Sequence, residues 1–102
     1  MPYFAKGWII GDFKTVRSGF DYWGPMPDVF DPEFDRRVKV TVEVVAEEVK
    51  NNHWCIGVFI DNEKSWGIPG TVKGQYGIVM EALSMKENKS LLKAKFMTML
   101  KA

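Results

Sequence analysis

Polar and apolar residues alternate most regularly over residues 36–49, where Val38, Val40, Val42 and Val44 are separated by Lys39, Thr41 and Glu43. A period of two predicts a half-buried strand with the valines on one face. After the polar turn at 50–52, residues 53–61 alternate again, with Trp54, Ile56, Val58 and Ile60 on one side. The two runs predict an antiparallel hairpin. Residues 6–17 are β-branched and aromatic but interrupted by Gly7 and Gly11, which suits an edge or bulged strand, and residues 75–82 supply a further strand through Tyr76, Ile78 and Met80. Ser84 and Glu87 have the spacing of a capping box, and Met85, Leu92, Phe96, Met99 and Leu100 follow at helical intervals. The pattern as a whole predicts one α+β domain over residues 1–102: an antiparallel sheet of about four strands with a C-terminal amphipathic helix packed on one face.

Composition changes this picture mainly through one segment. Residues 18–35 contain Pro25, Pro27 and Pro32, which break any strand and force extended backbone before them, so a long structured loop is expected. The same segment holds Asp21, Asp28, Asp31, Glu33 and Asp35 with no Lys or Arg, whereas residues 86–102 carry five lysines against Glu87. Over the whole chain, 14 basic residues against 13 acidic ones leave no net field to steer it to a polyanion or an anionic membrane. A single Cys excludes an internal disulfide, and with a single His it excludes a Cys and His zinc site. No apolar run has signal-peptide or membrane-span length, so a cytoplasmic protein is expected.

Candidate chemistry is sparse. His53 and Cys55 lie two apart on a predicted strand, about 7 Å from one another by strand rise, too far for a base to activate a thiolate. Together with Asp61 they do not converge as metal ligands, so neither metal nor cofactor is expected. Gly70, Gly74 and Gly77 have no predicted helix after them and no Lys-Ser/Thr pair, so they do not form a phosphate cradle. Asp28, Asp31, Glu33 and Asp35 could pair for acid and base work, yet a proline-rich loop is a weak platform for it. Arg36, Arg37 and Lys39 with Phe59 make a crude nucleic-acid surface beside acids that repel phosphate. Residues 21–35 are the best binding candidate, because Tyr22 and Trp23 are interface anchors flanked by carboxylates. The expectation is a chain that binds and does not catalyse, with a small nucleic-acid- or ligand-binding module as one alternative.

Trp23, Pro25, Pro27, Asp28 and Phe30, then Phe59, Ile60 and Trp66, then Gly74, Ile78, Val79, Leu91 and Leu92 follow one another in an order that resembles small bacterial immunity proteins of polymorphic toxin and contact-dependent growth inhibition systems. The chain departs from that pattern at residues 31–37, an apparent insertion, and at residues 67–70, where GIPG replaces helix-forming residues. The resemblance implies a cytoplasmic toxin inhibitor whose partner is a cognate toxin C-terminal domain. It implies no catalytic residues, and a partner-binding surface of Asp21, Tyr22, Trp23, Asp28, Phe30, Asp31, Glu33 and Asp35.

Overall fold

A computed structural model describes all residues from Met1 to Ala102. In chain order the elements are β1 (Tyr3–Lys6), β2 (Thr15–Val16), β3 (Met26–Pro27), α1 (Pro32–Val49), β4 (Cys55–Phe59), α2 (Val72–Gln75), α3 (Gly77–Ser84) and α4 (Leu91–Lys101). The expected four-stranded antiparallel sheet is absent. There are two separate two-stranded sheets, β1 with β4 in parallel and β2 with β3 antiparallel. Parallel neighbours need a long crossover, and α1 provides it, so β1, α1 and β4 form a βαβ unit.

The expected valine strand is α1, and the reason lies in two periodicities carried by one run. Val38, Val40, Val42 and Val44 alternate, but Phe34, Val38, Val42, Val45 and Val49 also recur every three or four residues. Helix termini decide between them. Asp31 accepts a hydrogen bond from the Glu33 amide at 3.1 Å, Pro32 opens the helix, and Glu33 and Asp35 place negative charge in its first turn. The 18 residues of the element also exceed the usual length of a strand. The stripe from Phe34 to Val49 faces Val58 of β4 and Gly7 and Ile60, the residues just past the two strands, enclosing an apolar cleft, while Val40 and Val44 point outward.

Downstream of β4 the expected strand at 75–82 is also helical, as α2 and α3. Helices are therefore present at these glycines after all: Gly74 lies inside α2 and Gly77 opens α3, and both line a cleft with Arg17, Ser18 and Lys73. A Cβ on Gly77 would collide with the Ser18 carbonyl oxygen, so only glycine lets the start of α3 rest against that segment. Ser84 does not begin the last helix. It ends α3, and its hydroxyl donates back to the Glu81 carbonyl at 2.6 Å. The cap of α4 is Ser90, which accepts from the Lys93 amide at 3.2 Å. The C-terminal helix packs on α3 and not across a sheet, tied there by Lys93 Nζ donating to the Leu83 carbonyl at 2.6 Å.

Little of this is buried. Six of 102 residues are, and the apolar ones among them are Val16, Val45 and Ala82. The accessible surface of 7718 Å² is about 30 per cent above that of a self-contained chain of this mass. The radius of gyration, 16.4 Å, exceeds the roughly 13 Å of a compact domain of this length. Parallel strands are normally covered on both faces. Here β1 and β4 each keep a free edge, and Phe4 and Phe59, 4.8 Å apart, stand half-exposed on the face away from α1.

Candidate functional site at the mouth of the strand pair

Because β1 and β4 run in parallel, their C-terminal ends open on the same side, where parallel α/β sheets place their ligands. β1 continues into Trp8, Ile10 and Phe13, and β4 into Asp61, Asn62 and Lys64. Together with Trp23 these residues line a cleft of about 340 Å³.

Trp23 reaches this position through a turn built by its neighbours. Asp21 Oδ1 accepts from the Ser18 amide at 3.1 Å and from the Ser18 hydroxyl at 3.2 Å. The Gly24 amide donates to the Asp21 carbonyl at 2.8 Å, with Gly24 at φ +89°, a conformation that favours glycine. The Trp23 indole then donates to Glu63 Oε2 at 3.0 Å. The Lys64 ammonium donates to the Trp23 carbonyl and lies 3.6 Å from Asp61 Oδ1. Asp61 Oδ1 also accepts from the Asn62 amide at 2.8 Å. Glu63 has φ +47°, and no other non-glycine residue has a positive value. Side chains in that region are uncommon, and such strain concentrates at functional sites. The loop after β4 thus presents Glu63 with one carboxylate oxygen held by Trp23, beside Asp61, whose carboxylate is engaged within its own turn.

The residues singled out by sequence scatter. Tyr22, 73 per cent exposed, packs edge-on against Trp23 with ring centres 5.0 Å apart. Of the two, Trp23 lines the cleft; the acids do not form a patch with them. Asp21 shapes the turn and pairs with Arg17 at 3.4 Å. Asp28 is 5 per cent exposed and accepts from the amide of half-buried Phe30 at 3.0 Å. Asp31 caps α1 and accepts from the Lys14 amide at 2.7 Å. Glu33 binds Arg36 at 2.7 Å and 2.9 Å and Arg37 at 3.1 Å, and hydrogen bonds from Arg36 first, then Arg37, hold its carboxyl down at about 2. Asp35 pairs with Lys39 at 2.7 Å. Arg36, Arg37 and Lys39, the expected basic surface, are thereby all paired within their own helix, two of them sharing Glu33.

His53 precedes β4 and packs on Trp54, while the Cys55 thiol donates to the Gly57 carbonyl. No three His, Cys, Asp or Glu side chains converge as a metal site would require. Glu63 is the residue that sequence reasoning missed. Its signal was an acid three positions after the apolar run at 56–60, at the point where a parallel strand ends.

No protein-family profile matches the chain. Over 102 residues it is 48% identical to beta-agarase B of Vibrio sp. (strain JT0107), covering 99% of this chain and 11% of that protein. Over 80 residues it is 36% identical to beta-agarase A of the same organism, covering 72% of the chain and 8% of the relative. An exo-beta-agarase structure superposes with a TM-score of 0.89 at 54% identity, over 99% of this chain and 14% of that one. The structure of PfGH50B gives 0.85 at 61% identity over 98% and 14%, and the agarase AgWH50C gives 0.84 at 47% over 97% and 15%. The chain therefore spans about a tenth of the length of the curated relatives it matches. These similarities overturn the immunity-protein resemblance, and with it the toxin-domain partner and the nucleic-acid or ligand-module alternative. The short motifs behind that resemblance lie on other elements than it implied: Ile78 and Val79 are in α3, not in a strand.

Proposed function

We propose that this chain is a segment of an agarose-cleaving glycoside hydrolase and supplies one reacting carboxylate, Glu63, and an aromatic wall of the substrate cleft. The observation that carries the reading is the strained, Trp23-held Glu63 at the C-terminal mouth of a parallel strand pair, in a chain similar throughout its length to part of several agarases. Free strand edges and apolar faces support the larger setting, since a βαβ unit of this kind is stable only when neighbouring polypeptide covers it.

Glycoside cleavage uses two carboxyl groups across the scissile bond, one of them giving a proton to the leaving oxygen. Glu63 suits that first role because it stands between Asn62 and Lys64, which line the cleft, and is bonded to Trp23, which lines it too. Its Oε2 takes the indole hydrogen bond, so the other oxygen remains for the glycosidic oxygen. Asp61 is the one acid that lines the cleft, and it is committed to the Asn62 amide and Lys64, so on this reading the second carboxyl group comes from outside this chain. Trp8 and Trp23, each about half-exposed, offer flat apolar surfaces for the C–H faces of sugar rings, and Asn62 offers an amide for hydroxyl groups.

In the full-length protein, Glu63→Gln is expected to lower kcat on agarose oligosaccharides by roughly 10²- to 10⁴-fold while leaving oligosaccharide binding in place. Undiminished turnover would return the chain to a binding or scaffolding role without chemistry.

A further inference from the structure

Trp23 and Glu63 are 40 residues apart in sequence, and a single hydrogen bond between exposed side chains does not fix two loops against one another. What joins them is Lys64. Its side chain is only 19 per cent exposed, and its ammonium donates to the Trp23 carbonyl while lying 3.6 Å from Asp61 Oδ1. One ammonium with three donors therefore reaches the loop after β4 through Asp61 and the 21–24 turn through the Trp23 backbone. The indole that holds Glu63 belongs to the residue whose carbonyl Lys64 grips. The position of Glu63 in an uncommon backbone region is maintained by that surrounding structure.

We propose that Lys64 is a positioning residue that acts on Glu63 through Trp23, clamping the loop at 61–64 onto the turn at 21–24 so that the carboxylate keeps its orientation at the cleft. The inference rests on the assignment of Glu63 to the reaction. Methionine at this position would keep an unbranched apolar side chain one atom shorter than that of lysine and remove every donor. The clamp would then open while the wall of the cleft stayed filled.

The test is made on the full-length protein with agarose oligosaccharides as substrate, and the Trp23 indole resonance is followed by nitrogen–proton correlation NMR. Lys64→Met is expected to lower kcat roughly tenfold to a hundredfold with KM little changed, as for a catalytic group displaced by about 1 Å. The Trp23 indole signal moves toward the position of a water-exposed indole. Lys64→Arg, which keeps charge and donors, restores that signal. In a Trp23→Phe background Lys64→Met has no further effect on kcat, because the path it acts through is already cut. Wild-type kcat with an unmoved indole signal in Lys64→Met, or full additivity of the two substitutions, would overturn the proposal. If the wild-type protein itself does not cleave agarose, the assignment of function fails separately, and an indole signal unmoved by Lys64→Met still sinks the clamp.

Discussion

At the residue scale, Glu33 and Glu63 show how differently two glutamates are used. Glu33 sits in the first turn of α1 with Arg36 and Arg37 on its oxygens, and its carboxyl titrates at about 2 instead of 4.5. Because the folded value is the depressed one, its contribution to stability is complete above about pH 4.5 and is lost as the pH falls toward 2. The stability difference between wild type and Glu33→Gln should therefore shrink over that window and shrink further in high salt, as followed by thermal unfolding at a series of pH values. A difference that persists unchanged at pH 2 would contradict the pairing. Glu63 makes no ion pair, stands in a strained backbone position and is held by one indole. Its strain is a property of the folded loop and has no counterpart in residue order, whereas its place just past an apolar run was legible in the sequence.

Among the elements, α1 marks the point where the chain's pattern was ambiguous. Four valines at alternate positions carry the strand period, and two of them, Val38 and Val42, taken with Phe34, Val45 and Val49, carry the helical one. Asp31-Pro32-Glu33 at the start, an N-cap followed by proline and an acid, was the local information able to choose. The strand at 53–61 was legible and survives as β4, but its partner was not, because parallel pairing with β1 is a contact between segments about 50 residues apart. The last helix was legible as a helix, with its start misplaced because Ser84 and Ser90 both precede apolar residues and only Ser90 has an amide to cap. The Asp31 cap also has a measurable cost of removal. In the full-length protein, Asp31→Ala should destabilise the fold by about 1 kcal/mol in denaturant unfolding, since the Glu33 and Lys14 amides both lose their acceptor. No change in the unfolding midpoint would mean that neither bond matters.

At the scale of the whole molecule, the exposed apolar surface is the dominant fact, and composition hid it. A hydrophobic content of 46% is enough for a core, but composition does not say whether the core closes within the chain. Here it does not: the α1 stripe and the strand pair enclose an apolar cleft of about 630 Å³ that stays open. The isolated 102-residue chain is accordingly expected to bind a hydrophobic dye such as ANS and to unfold without a sharp transition, whereas within the larger enzyme of the proposed function these faces should be covered and bind no dye. A sharp, two-state transition in the isolated chain would contradict this picture. The proposed function divides the work so that this chain supplies one carboxylate and one aromatic wall, and the second carboxyl group comes from elsewhere. It is tested most directly by a crystal structure of full-length Glu63→Gln with an agarose oligosaccharide bound. The substituted amide side chain at position 63 is expected within about 2.6–3.2 Å of a glycosidic oxygen, with sugar rings against Trp8 or Trp23. An oligosaccharide bound with no glycosidic oxygen near residue 63 would contradict it.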